Sequence, residues 1–234
     1  MINQYIKLIK CHFSFCFNKV STILLLLMST IDIIYNFLII KGLDKSESSL
    51  SLWESYLESG FSFLTFLSIV FSIIVFSYSF LSRQDSYLSY LISPKVNKIS
   101  YFLTKIISLF IFIMIFIILE LLSFFLPIII TGLFQIEKDV LFNFIDVLEV
   151  MMFYGMTSLL LIMAFDNMYV AIAPIILFIF STNITLLSEE LKMVFSFIIP
   201  IFSEKYRLIN GDGVVITLVL VLIFSSSVYY YYKD

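Results

Sequence analysis

The amino-terminal segment carries the only histidine and both cysteines of the chain. On a helix, His12 and Cys16 would share one face, so the imidazole could activate the thiol as a nucleophile, as in membrane cysteine peptidases. No acidic residue that could orient the imidazole lies in residues 1–19. Together with Cys11, the set offers too few ligands for a structural zinc site, which needs four. We therefore expect no catalysis and no metal here, and two free thiols.

Two carboxylic acids, Asp32 and Glu120, lie inside long apolar runs. At about 1.5 Å per residue, each is roughly 18–21 Å from the start of its run. A carboxylate that faces hydrocarbon costs several kcal/mol, so we expect each acid to face a protein interior, pair with a polar neighbour, or carry a proton. One interpretation places both on a translocation path. The alternative places each near water in the outer third of its span.

The elements that position these residues follow from the composition. Of the 234 residues, 61% are hydrophobic, only 13% are charged, and 27 are Phe. Mean hydropathy is +1.07. This composition predicts an all-α integral membrane protein and leaves no room for a separate soluble catalytic domain. The net charge of −3 also argues against nucleic-acid binding, which favours basic proteins.

Six apolar segments reach the length that a bilayer requires. They cover residues 20–40, 61–81, 106–134, 147–165, 169–187 and 214–231. Residues 1–19 alternate lysines with apolar side chains and predict an amphipathic helix that lies along the membrane interface. Pro127 and Pro174 predict helix irregularities. Because the chain has no repeat and no Gly/Ser linker, we treat residues 1–234 as one transmembrane domain.

Charge placement indicates that both termini are cytoplasmic. With this orientation, eight of the 14 basic residues lie inside and twelve of the 17 acidic residues lie outside. The bias is modest but follows the positive-inside rule, because the basic inner segments flank the early spans. Two long connections then stand out: the inner residues 82–105 and the outer residues 188–213.

The inner connection combines an apolar cluster with a break and basic residues. Tyr87, Leu88 and Leu91 precede Pro94, and Lys95 begins a second piece. Apolar side chains on a cytoplasmic loop need a surface that covers them, which favours docking to a partner. A basic loop that only anchors the topology is the alternative.

In this order of residues the chain resembles the membrane subunits of ABC exporters of the ABC-2 type. The match comprises Asp85, Leu88, Leu91, Ser93-Pro94-Lys95 and Lys105, with Asp where Glu is more usual. The resemblance implies a coupling helix near residues 83–97, including Arg83, which docks into a cleft of an ATPase. It also implies an interfacial connecting helix near residues 2–17. In residues 188–213 it implies a re-entrant outer segment with Pro200 at its break.

The chain has no Gly-x-x-x-x-Gly-Lys-Ser/Thr loop, so it is not expected to hydrolyse ATP itself. The resemblance implies a separate cytoplasmic ABC ATPase that binds ATP and Mg²⁺, and a second copy of this chain or a related permease. The small size and the Phe/Ile-rich composition resemble permeases that export amphipathic peptide toxins such as phenol-soluble modulins. A lipid-like substrate, a bacteriocin-immunity permease and a membrane sensor that transports nothing remain alternatives.

Overall fold

The computed structural model describes residues 2–16, 19–43, 49–81, 97–132, 140–184, 190, 199–200 and 211–232. This part of the chain is all-helical. Five of its helices are long and apolar enough to cross a membrane. Together they indicate a multi-pass membrane protein.

Eight helices follow one another in the described residues. They are α1 (Ile2–Cys16), α2 (Lys19–Gly42), α3 (Ser49–Phe80), α4 (Lys98–Thr131), α5 (Val140–Phe165), α6 (Met168–Ala171), α7 (Ala173–Ile184) and α8 (Asp212–Tyr232). Helix α3 packs against α5 and α2, and α4 packs against α1 and α2. Helix α8 lies against α5 and α4. The core is rich in phenylalanine, as in the stacked pair Phe71 and Phe116, whose ring centroids are 4.0 Å apart.

The amino-terminal helix α1 has one buried and one exposed face. Leu8, His12 and Cys16 are buried, and they recur every four residues, which places them on one side of a helix. Lys7 and Lys10 are exposed. The buried face packs on α4, so α1 contacts the bundle in addition to any contact with a lipid surface.

Helix α3 begins at Ser49, twelve residues before the predicted span 61–81. Trp53, Tyr56 and Leu57 are buried at helical spacing, whereas Glu58 on the opposite face is exposed. The polar residues of this segment therefore follow a helical pattern. Helix α5 likewise begins at Val140 rather than at 147, with Asp146 buried in its second turn.

The predicted fifth span, 169–187, is interrupted in the structure. A short helix, α6, ends at Ala171, and α7 begins at Ala173. Pro174 lies in the first turn of α7, where a residue without an N–H is tolerated. In contrast, α4 continues through Pro127 to Thr131. Among the described residues, this segment is too short to count among the five spanning helices.

The close approach of α3 and α5 depends on Gly155. A Cβ atom at this position would lie 2.6 Å from Cδ2 of the buried Phe76 ring. We expect Gly155→Ala to lower the free energy of unfolding by about 1–2 kcal/mol, because the ring must shift and the higher helix propensity of alanine offsets only part of that cost. Thermal unfolding in detergent measures the change. Gly213→Ala is the matched control, since its Cβ would meet nothing within 4 Å; an equal loss there would contradict the steric explanation.

Candidate functional site

A cluster of polar side chains lies between α2 and α4, and we call it the carboxyl cluster. Its members are Ser29, Asp32 and Asn36 of α2 and Glu120 and Ser123 of α4. Asp32, Asn36 and Glu120 are 0% exposed. The structure therefore brings the two acids of the predicted translocation path together in the interior, and neither carboxyl group contacts solvent.

Helical spacing positions both halves of the carboxyl cluster. Asp32 and Asn36 are one turn apart on α2, and Glu120 and Ser123 are one turn apart on α4, so each helix presents one polar stripe to the other. Sequence reasoning found the two acids but missed Ser29, Asn36 and Ser123. The signal that could have found them is this spacing of polar residues around each acid.

The hydrogen bonds of the cluster connect the two helices. The Asn36 amide donates to Asp32 Oδ2 at 2.9 Å, and the Ser29 hydroxyl donates to Glu120 Oε1 at 2.7 Å. Ser123 donates to Asp32 Oδ2. The Ser123 hydroxyl also lies 3.4 Å from Glu120 Oε2, so it is placed between the two carboxyl groups. These contacts hold α2 and α4 together by polar side chains within an apolar bundle.

Helix α3 closes the cluster on one side. The Tyr56 hydroxyl donates to the backbone oxygen of Phe124 at 2.7 Å. A Cβ atom at Gly60 would lie 2.7 Å from the Phe124 ring and 3.2 Å from Asn36 Oδ1. Glycine therefore lets α3 approach both neighbouring helices closely enough to cover the polar residues.

A second cluster lies at the amino-terminal end of α4, and we call it the aromatic end cluster. It comprises Phe80 of α3, Tyr101, Phe102 and Lys105 of α4, and Tyr230 of α8. Lys105 is 3% exposed, and its Nζ lies 4.0 Å from the centroid of the Phe80 ring, a cation–π contact. Tyr230 packs on Phe102 at 5.3 Å between ring centroids. Sequence reasoning assigned Lys105 to the inner loop and missed this cluster.

Helix α1 is anchored beside the aromatic end cluster. The His12 ring contacts the Tyr101 ring edge-on at 4.8 Å, and the Ser108 hydroxyl donates to the backbone oxygen of Ile9 at 3.1 Å. The ends of α3 and α4 that flank residues 82–96 are thus tied to α1 and α8. A force applied to residues 82–96 would therefore be transmitted to α1, α3, α4 and α8 through these contacts.

The thiol of Cys16 faces the same region. Burial raises the pKa of Cys16 to about 11, although nearby Lys105 and a hydrogen bond with Ser79 oppose this effect. Cys11 is only partly buried. Both cysteines are free, and the catalytic use of Cys16 would require a thiolate that this environment disfavours.

These environments predict a large difference in thiol reactivity. At pH 8 only about one Cys16 thiol in a thousand is ionised if its pKa is about 11, so we expect maleimide to modify Cys16 at least about tenfold more slowly than Cys11. Mass spectrometry of wild type and a Cys11→Ser variant measures the two rates. Denaturation should remove the difference. Equal rates in the folded protein would contradict the burial of Cys16.

Several predicted site residues lie outside the described residues. Arg83, Asp85, Tyr87, Leu88, Leu91, Pro94 and Lys95 all fall within residues 82–96. Most of the predicted re-entrant segment, 188–213, also lies outside them. Their proposed roles stay predictions. Among the residues that are described, no group of three His, Cys, Asp or Glu side chains is placed to hold a metal ion.

An apolar cavity of about 320 Å³ opens between α4, α5 and α8. Phe110, Met152 and Leu220 contribute to its walls, and Glu149 is the one acidic residue among the side chains that line it. Glu149 Oε2 is buried and has no hydrogen-bond partner among the described residues. A long apolar group fits this surface.

A comparison of the chain with models of known protein families and with curated proteins finds no match in either.

Proposed function

We propose that this chain is the membrane subunit of an ATP-driven exporter of the ABC-2 type. The observation that carries the proposal is the attachment of α1 and the aromatic end cluster to the two helix ends that flank residues 82–96. A subunit driven by a separate ATPase needs a cytoplasmic loop whose movement reaches the transmembrane helices. Phe80 and Lys105, in contact across the ends of α3 and α4, supply such a connection.

In this proposal the chain crosses the cell membrane six times with both termini in the cytoplasm. Residues 83–97 form the coupling helix, and residues 188–213 form the re-entrant outer segment. Two membrane subunits, either two copies or this chain with a related permease, bind two ATPase subunits that carry ATP and Mg²⁺. Asp32 and Glu120 lie along the path that the substrate takes across the membrane.

The proposed substrate is an amphipathic peptide, of the kind represented by cytolytic peptide toxins. The apolar cavity between α4, α5 and α8 supports this class, since it offers apolar walls to the apolar face of such a peptide. A lipid-like molecule is the alternative substrate.

Two measurements test the proposal. The full chain is copurified with a candidate ABC ATPase from the same genome, and uptake of a fluorescent amphipathic cationic peptide is measured in inverted vesicles. We expect a stable complex and uptake that requires ATP hydrolysis, with no uptake when the ATPase carries a substitution in its phosphate loop. A complex that hydrolyses ATP but moves neither peptide nor lipid would favour a sensor and overturn export.

A further inference from the structure

Among the described residues, no cation is hydrogen-bonded to the two acids of the carboxyl cluster. Asp32 and Glu120 are both 0% exposed, and the Ser123 hydroxyl lies within hydrogen-bonding distance of both carboxyl groups. Their partners among the described residues are Ser29, Asn36 and Ser123, all of them uncharged. Two full negative charges in contact inside a low-dielectric bundle repel each other strongly, and burial removes the water that would screen them.

The hydrogen bonds leave room for one more donor. Asp32 Oδ2 accepts from Asn36 and Ser123, and Glu120 Oε1 accepts from Ser29. Asp32 Oδ1 is buried and has no hydrogen-bond partner among the described residues. A carboxylate is only an acceptor, so two ionised carboxylates cannot hydrogen-bond to each other. A single proton on either carboxyl group removes one of the two negative charges. It also supplies the hydrogen-bond donor that the two carboxylates lack.

We propose that Asp32 and Glu120 form a binding site for a single exchangeable proton, held between their two carboxyl groups at the contact of α2 and α4. The proton comes from water and adds to one carboxylate, which then donates to the other. The occupied pair carries one negative charge, stabilised by Ser29, Asn36 and Ser123. Loss of the proton leaves two charges in contact and drives α2 and α4 apart.

The sign of the pH dependence follows from proton counting. Exposed carboxyl groups of the unfolded chain lose their protons near their ordinary pKa values, about 4. Above that range the folded protein holds one proton more than the unfolded chain, so stability falls as pH rises. One proton corresponds to about a tenfold fall in the ratio of folded to unfolded protein per pH unit. Apart from Glu120, the titratable side chain that interacts with Asp32 is Tyr56 of α3. No described titratable group of α5 or α8 interacts with Asp32 or Glu120.

Thermal unfolding of the full chain in detergent between about pH 5 and pH 9 tests the proposal. We expect the unfolding temperature of wild type to fall with rising pH. Glu120→Gln, which keeps a permanent donor and one negative charge, should be folded and should lose most of this slope. Glu58→Gln, at an exposed acid of α3, is the matched control and should keep the wild-type slope. An unchanged slope in Glu120→Gln would overturn the proposal.

Infrared spectroscopy of wild type provides a test that does not depend on a variant. A protonated carboxylic acid has a carbonyl band separate from those of carboxylates, and we expect this band at neutral pH and its disappearance on alkalinisation. Its absence at neutral pH would overturn the proposal. So would stabilisation by Na⁺ relative to choline at constant pH and ionic strength, because the pair would then bind a metal cation instead.

Discussion

Replacing Phe124 by alanine is expected to lower the free energy of unfolding by about 3 kcal/mol, the largest stability effect of any single truncation proposed for this chain. Phe124 is 0% exposed and joins three helices. Its ring centroid lies 5.0 Å from that of Tyr56, 4.9 Å from that of Phe61 and 5.8 Å from that of Phe144. Lipid is as apolar as the ring, so the loss comes from dispersion contacts and the cavity left behind.

Phe224→Ala in α8 is the matched control for Phe124→Ala. Its side chain is 70% exposed, so its removal deletes few contacts within the protein and should change the unfolding temperature little. Thermal unfolding in the same detergent compares both variants with wild type. Similar shifts for the two variants would contradict the central position of Phe124.

The second large effect concerns association with the proposed ATPase and depends on the proposed function. Replacing Tyr87, Leu88 and Leu91 together by alanine is expected to weaken the complex at least about tenfold, because a few buried aromatic and aliphatic side chains supply most of the binding energy of an interface. Copurification and ATPase activity of the complex measure the effect. Alanine at Ser86 and Ser89 of the same loop is the control. Wild-type affinity of the triple variant would exclude this loop as the docking element.

Much of the helical architecture could be predicted because hydrophobicity and length determine where a helix can cross a bilayer. Apolar runs predicted α2, α4 and α8 to within a few residues at one or both ends. The predicted start of α3 was too late, because an average over apolar residues overlooks a segment such as Ser49–Gly60 whose polar side chains share one face. The interruption near Ile172 was anticipated only as an irregularity at Pro174.

The carboxyl cluster was only half predictable. The sequence shows that Asp32 and Glu120 lie at similar depths, but depth does not reveal which helices are neighbours. The pairing depends on the packing of α2 on α4, and the small residue Gly60 lets α3 cover that contact closely. Serine and asparagine inside an apolar run give a weak signal on their own, since such side chains can also hydrogen-bond to the backbone of their own helix. The aromatic end cluster could not be predicted for a related reason. The sequence places Lys105 at the end of the inner loop, whereas α4 begins at Lys98 and therefore includes it.

Helix α4 joins the two clusters. It runs unbroken for 34 residues, through Pro127, and carries Lys105 near one end and Glu120 about 22 Å further along, at about 1.5 Å per residue. An unbroken helix behaves as a lever. A tilt of about 5° around the aromatic end cluster displaces Glu120 by about 2 Å, more than the pair's hydrogen bonds can stretch. A movement of α4 at the aromatic end cluster would therefore separate Glu120 from Asp32 and release the proton. Binding of the proton would, in turn, hold α4 in its untilted position.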